Sequence, residues 1–216
     1  TNMSNIDTVL FDFDGTIMDT NDVIIQSWQH TYKSLRDREE DVETIIKTFG
    51  EPLEYTMRHQ FPDVPAEEAI EIYRSFHHDH FEDLISLFPG VLKLVKELKE
   101  GGYKLGIVTS RLKKTTMRGL DKYGIRDWFG AIVTADDTTK HKPDPEPIEI
   151  ALKTLRAKPE KSIMLGDTLF DVECAQNAGV TSVLVGWALS VKAEHLDEEK
   201  KPDHVIDQEM DLLQLL

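Results

Sequence analysis

The sequence predicts an α/β protein: a doubly wound, Rossmann-like parallel sheet carrying an inserted all-helical module. Short apolar, β-rich runs recur along the chain with helical patterns of apolar residues between them, the alternation that a parallel sheet covered on both faces requires. The inserted module is predicted by one interval between strands of roughly ninety residues, far more than a simple βαβ crossover uses.

The expected strands are "TVLF" at 8–11, "KLGIV" at 104–108, "AIVT" at 131–134, "SIML" at 162–165 and "SVLV" at 182–185, with "HVI" at 204–206 as a weaker sixth. Val91, Leu94, Val95 and Leu98 share one helical face before Gly101-Gly102, and Ile148, Ala151, Leu152 and Leu155 share another after Pro147. Gly124 and Gly179 read as helix stops. Within the long interval, Ile24, Trp28, Tyr32 and Leu35 fall on one face. Ala69, Ile72, Tyr73, Phe76 and His80 fall on another, opened by Pro65 and Glu67-Glu68. The expected boundaries are therefore 3–18 with 88–216 for the core and 19–87 for the module. Trp28, Tyr32, Tyr73 and Phe76 read as the core of that module.

Of the 216 residues, 40% are apolar and 30% charged, the balance of a globular chain. No apolar run approaches the ~20 residues of a membrane-spanning helix, and the first residues lack the regions of a signal peptide, so a cytoplasmic location is expected. Cys174, the single cysteine, rules out an internal disulfide and reads as a small apolar helix position with no basic neighbour to activate it. A formal charge of −15 makes nucleic acids and anionic membranes poor partners. A small anionic substrate would need a metal ion or well-placed lysines to cancel the field. Oligomeric state is not legible.

In a doubly wound sheet, ligands bind beyond the carboxyl ends of the strands. Asp12, Asp14, Gly15 and Thr16 follow the first strand, and Thr109, Ser110 and Arg111 the second. Asp136 and Asp137 follow the third, and Gly166, Asp167 and Asp171 the fourth. Carboxylates gathered in this way repel one another unless a cation sits among them, and an all-oxygen cluster suits Mg²⁺. The chain's own cation would come from "KHKPDPEP", as Lys140 or Lys142. Helix capping accounts readily for Asp19, Asp136 or Asp144. It does not easily account for Asp12 and Asp14 together, since a cap needs one acceptor.

"DFDGT" at 12–16, "VTS" at 108–110, "KPDP" at 142–145 and "GDTLFD" at 166–171 resemble the four ordered motifs of the haloacid dehalogenase superfamily. The likeness extends to the helical cap inserted after the first strand, as in the phosphoglycolate phosphatase, β-phosphoglucomutase and pyrophosphatase branch. It implies a phosphohydrolase working through an aspartyl-phosphate. Asp12 would be the nucleophile, ionised without help because an ordinary Asp has a pKa near ~3.9. Asp14 would be the acid and base, needing a raised pKa from anionic surroundings. Mg²⁺ would be held by Asp12, the Asp14 carbonyl and Asp167, with Asp171 bound directly or through water. Thr109, the Ser110 amide and Lys142 would grip the phosphoryl oxygens; Gly15 and Thr16 would also bind the phosphate, Gly15 by letting the chain turn sharply as its backbone approaches. Lys142 is preferred to Lys140 because it directly precedes the proline, as in the family motif.

Selectivity in this branch resides in the cap. The "TFGEPLEYT" loop at 48–56 resembles a substrate-facing cap loop, so Gly50 and Glu51 are expected to face substrate, with Arg111 and Lys113 meeting a second anionic group from the core. Thr16, in place of valine, and Ile24, where mutases carry a histidine, argue against a sugar phosphomutase. The best match is the pyrophosphatase subgroup, so inorganic pyrophosphate or a small phosphomonoester is the expected substrate, with a phosphoglycolate phosphatase or a β-phosphoglucomutase-like sugar phosphomutase as the alternative. "FHHDHF" at 76–81 offers His77, His78 and His80, of which only 77 and 80 could share an ion; a solvated or partly buried helix face is the simpler reading. A receiver domain or an inactive phosphate-binding descendant is the non-enzymatic alternative. Against these, the Asp-x-Asp lies on the first strand and no motif position is broken.

Overall fold

The computed structural model describes residues 5–187, 189 and 200–216; the expected start of the core at residue 3 lies outside them. The chain forms two compact units, Thr1–Asp19 with Leu87–Leu216, and Thr20–Ser86.

The larger unit is built on a six-stranded sheet. Its strands are β1 (Thr8–Phe11), β4 (Lys104–Val108), β5 (Ala131–Val133), β6 (Ser162–Gly166), β7 (Thr181–Val185) and β8 (His204–Ile206), in the spatial order β5-β4-β1-β6-β7-β8. Every pairing is parallel. The two-residue strands β2 (Met18–Asp19) and β3 (Ser86–Leu87) lie at the crossings between units. Helices α5 (Val91–Glu100), α6 (Lys113–Lys122), α7 (Glu146–Leu155) and α8 (Leu169–Ala178) connect the strands of the sheet. All four residues of β1 and all five of β6 are buried, which is why they read as continuous apolar runs rather than alternating ones. Ile148, Ala151 and Leu152 of α7 pack with Leu10, Val108 and Met164 into one core, and Leu155 sits at its edge. Val91, Leu94, Val95 and Leu98 are the buried face of α5. Gly124 and Gly179 adopt the left-handed conformation, with φ of 67° and 73°, as their reading as helix stops requires.

β5 ends one residue earlier than expected because Thr134 caps the next turn: its amide and hydroxyl both donate to Asp137 Oδ2, at 2.9 and 3.0 Å. The weak sixth strand is present as β8. The order reverses between β1 and β6, since the chain leaves β1 toward β4 and leaves β6 toward β7. The crevice at that switch point is where this topology puts ligands.

The smaller unit is all-helical: α1 (Asn21–Arg36), α2 (Val42–Ile46), α3 (Leu53–Gln60) and α4 (Ala66–Leu84). Trp28, Tyr32, Ile45, Met57, Phe61, Ala69 and Tyr73 form its core. The buried stripe of α4 is Ala66, Ala69, Tyr73, His77 and Phe81. The expected face is thus rotated: Ile72 and Phe76 are half-buried and His80 is exposed. A histidine can occupy the stripe because His77 Nδ1 lies 3.0 Å from the Ser27 hydroxyl, and its ring stacks on Tyr73. His77 faces inward and His80 outward, which separates the one histidine pair whose spacing suited a shared ion.

Candidate active site

Strand register explains why the site assembles. Phe11 is opposite Ile107 on β4 and Leu165 on β6, so the residues that leave the ends of these three adjacent strands emerge side by side. Asp12 continues the ladder by one bond, its amide donating to Leu165 O at 2.8 Å. Phe11 and Phe13 are buried at 2% and 0% exposure. Their alternation with Asp12 and Asp14 sends both carboxylates to the opposite side, away from the apolar interior.

Lys142 is the buried cation among them. Its ammonium donates to Asp12 Oδ1 at 3.1 Å, to Asp171 Oδ1 at 2.5 Å and to the Val108 carbonyl at 2.9 Å, which uses all three of its donors. Lys140 is exposed. Burial alone would lower the pKa of Lys142, but Asp12 and Asp171 outweigh it and hold the ammonium charged.

Asp171 is doubly committed. Its second oxygen accepts from the amides of Asp167 and Thr168 at 3.2 and 3.1 Å and from the Thr168 hydroxyl at 3.0 Å. Thr168 caps α8 in a reciprocal capping box with Asp171. The "TLFD" spacing announces that box, and it was not part of the expected role of Asp171.

Asp12, Asp167 and Asp171 are buried and present oxygens within 4.8 Å of one another. One ammonium does not balance three carboxylates. Burial, then the Asp171 charge, pushes Asp12 up to about 7 despite Lys142. Burial, then Asp12, holds Asp167 well above the usual carboxylate range. This corrects the expectation that Asp12 is ionised without help: the surroundings that collect the carboxylates also favour their protonated forms. A hard divalent cation coordinated by oxygen is the charge this donor set fits. The packing is close. Gly15 has φ 76°, and a Cβ there would lie 2.0 Å from Asp167 Oδ2, so the turn accepts only glycine.

Asp14 is held by Arg111. The guanidinium Nε lies 3.0 Å from both carboxylate oxygens, and Nη2 lies 2.5 Å from Oδ1. The Arg111 side chain is 9% exposed and that of Asp14 26%. Arg111 was expected to meet a second anionic group of the substrate and Asp14 to draw a raised pKa from anionic surroundings; the structure adds a cation to those surroundings, since the two residues pair with each other. The contact links residues 97 apart in sequence, and no local signal announces it. Thr109 is buried, and its hydroxyl oxygen accepts from the Arg111 amide at 3.1 Å. Ser110 is exposed beside it. Thr16 is buried at 2% exposure, and its hydroxyl has no hydrogen-bond partner among the described residues.

Two of the strand-end and loop carboxylates do the capping that the sequence allowed for them. Asp136 accepts from the Lys113 amide at 2.8 Å, at the first turn of α6, and Asp144 from the Glu146 amide at 2.9 Å, at the start of α7; both serve helix termini. In the helical unit, Gly50 takes a left-handed φ of 88° between α2 and α3, and Glu51 accepts from the Thr56 hydroxyl at 2.7 Å. Cys174 is buried, and Lys142 is close enough to lower its pKa, contrary to the reading that no basic group lies near. Burial outweighs it and pushes the thiol up to about 12.

A carboxylate pair after a central strand, with a lysine and further carboxylates gathered from neighbouring strand ends, defines a hydrolase of the haloacid dehalogenase class. The sequence profile of the haloacid dehalogenase-like hydrolases matches residues 9–185, and the chain belongs to that family. It is 40% identical over 211 residues to the pyrophosphatase PpaX of Bacillus cereus strain G9842, covering 98% of this chain and 96% of that protein. The PpaX of Bacillus mycoides strain KBAB4 is likewise 40% identical, with 98% and 97% covered. Among solved structures, a haloacid dehalogenase-like hydrolase from Streptococcus pneumoniae superposes with a TM-score of 0.87 at 28% identity over 98% of both chains. A protein classed provisionally as a phosphoglycolate phosphatase from Lactobacillus plantarum does so with 0.85 at 27% identity, over 98% of this chain and 99% of that one. Among the described residues no helix is long and apolar enough to cross a membrane.

Proposed function

We propose that this hydrolase is a Mg²⁺-dependent phosphohydrolase acting on inorganic pyrophosphate or a small phosphomonoester through an aspartyl-phosphate at Asp12. The observation that carries the reading is the buried triad of Asp12, Asp167 and Asp171, with the Lys142 ammonium on Asp12 and Asp171. Such an arrangement suits a reaction that brings phosphoryl oxygens among carboxylates. The relatives at 40% identity named as pyrophosphatases favour pyrophosphate, and the phosphoglycolate phosphatase likeness keeps a phosphomonoester as the second reading.

Asp12, Asp167 and the Asp14 carbonyl would hold the ion, with Asp171 acting through water because both of its oxygens already serve Lys142 and the α8 cap. When bound, Mg²⁺ supplies positive charge that keeps the carboxylates ionised and draws charge from the phosphoryl oxygens. An Asp12 oxygen attacks phosphorus, and the bond from phosphorus to the leaving oxygen breaks. Asp14 gives that oxygen its proton. Water then attacks the acyl phosphate at phosphorus, Asp14 takes up the water's proton, and Asp12 leaves as a carboxylate with phosphate as the product. Lys142, Thr109 and the Ser110 amide hold the phosphoryl oxygens as charge spreads over them. Gly50 and Glu51 are assigned to substrate selection.

Phosphate release from pyrophosphate, phosphoglycolate and a set of sugar phosphates, with and without Mg²⁺, ranks the substrates. Asp12→Asn eliminates release on all of them under this reading; full activity in that variant rejects it.

A further inference from the structure

We infer that Arg111 is a positioning residue: it fixes the Asp14 carboxylate in the orientation from which a proton reaches the leaving group. The inference rests on the proposed role of Asp14 and adds to it the group that sets its geometry.

A carboxylate at the mouth of a strand-end turn has freedom about two side-chain torsions, and 26% of the Asp14 side chain is exposed. A proton donor must reach its acceptor at hydrogen-bonding distance, so that freedom costs rate. Arg111 removes it by meeting the carboxylate along the edge of the guanidinium that carries Nε and Nη2, with contacts to both oxygens. The short bond from Nη2 falls on Oδ1, so Oδ2 is the oxygen assigned to carry the proton, and the planar contact defines an orientation as well as a distance.

Arg111 is itself fixed. Its remaining nitrogen, Nη1, donates to the Thr115 hydroxyl at 3.1 Å on the first turn of α6. Its amide donates to Thr109 Oγ1, and its carbonyl accepts from the Ala135 amide at 3.0 Å. The guanidinium carbon lies 6.0 Å from the centre of the Phe13 ring. Anchors on the β4 and β5 loops and on α6 thus converge on Arg111, and Arg111 grips the Asp14 carboxylate. The role inferred for Arg111 is exercised through Asp14.

The test uses the whole protein with Mg²⁺ and two substrates whose organic groups carry no charge while bound: an alkyl phosphate and p-nitrophenyl phosphate. An alkoxide needs a proton to depart; p-nitrophenolate does not. kcat/KM reports steps up to departure of the leaving group. For Arg111→Gln, kcat/KM should fall about 100-fold on the alkyl phosphate and under about fivefold on p-nitrophenyl phosphate, the range that loss of a positioned acid produces. Arg111→Lys, which retains a charge but not the fork, should recover part of the alkyl loss.

Asp14→Asn is the control that separates the two ideas. If it shows the same selective loss while Arg111→Gln lowers both substrates equally, Arg111 is structural and the inference fails with the Asp14 role intact. If Arg111→Gln instead raises KM with kcat unchanged, Arg111 binds substrate and the inference fails. If neither variant discriminates between the leaving groups, the role of Asp14 fails and the inference falls with it. Should Arg111→Gln not fold, Arg111→Lys carries the comparison, with equal loss on both substrates overturning the proposal.

Discussion

Lys142 reaches Asp12 across 130 residues of sequence, its ammonium 3.1 Å from the carboxylate and both side chains at least nine-tenths buried. The pair is not isolated, because the same ammonium also serves Asp171. Its contribution is therefore to keep a surplus of negative charge tolerable rather than to neutralise a single partner.

Replacing it exposes that surplus. Lys142→Met leaves Asp12 and Asp171 without their cation, and removing one partner of a buried pair costs about 3–5 kcal/mol. Turnover should fall about 10²- to 10³-fold, as when a donor to developing charge is removed. Denaturant unfolding and steady-state kinetics on the same preparation check both. The stability loss should shrink toward acidic pH, where Asp12 is protonated and no longer needs the partner.

Stability should depend on pH and on divalent ion together. Folded Asp12 keeps its proton until about pH 7, against a reference value of 3.8, and Asp167 is shifted in the same direction. With a folded pKa above the unfolded one, each group's contribution is fully present below the unfolded value. It is lost as pH rises through the window up to the folded value. A cation bound to the ionised carboxylates opposes that loss. Melting temperatures with and without Mg²⁺ should therefore differ little near about pH 5 and clearly near about pH 8, because protons compete for the same oxygens.

Gly15→Ala should remove activity by about 100-fold or more, since its new methyl would displace Asp167 and its φ of 76° adds about 1–2 kcal/mol of backbone strain. Steady-state assay with a thermal melt distinguishes a displaced carboxylate from an unfolded chain. A variant at wild-type rate would mean that the position of Asp167 does not matter.

Cys174 should resist alkylation. Its thiol is buried and held near pKa 12, so thiolate is scarce at neutral pH. Iodoacetamide should label the native protein negligibly and the unfolded protein fully, as read by intact mass.

Much of this was legible in the sequence because it depends on local pattern. The buried strands announce themselves as apolar runs, and residues placed just after β1, β4 and β6 meet because those strands are neighbours. Lys142 was separable from Lys140 by its place before Pro143. What was not legible depends on side chains meeting across the fold. The Arg111–Asp14 pair joins two loops, and nothing near either residue specifies the other. The raised pKa of Asp12 follows from the burial and charge of groups drawn from three strand ends, which an ordinary Asp value does not anticipate. On α4 the buried stripe passes through His77 because Ser27 on another helix offers it a partner, a fact that periodicity on α4 alone does not contain.

The most direct test of the central claim traps the covalent intermediate. Wild-type protein turning over pyrophosphate with Mg²⁺ is quenched and reduced with borohydride, which converts an acyl phosphate to the corresponding alcohol, and its peptides are sequenced by mass spectrometry. The account predicts homoserine at position 12 and at no other aspartate, and none in a sample without substrate. Reduction at another aspartate, or none during demonstrable turnover, would contradict it.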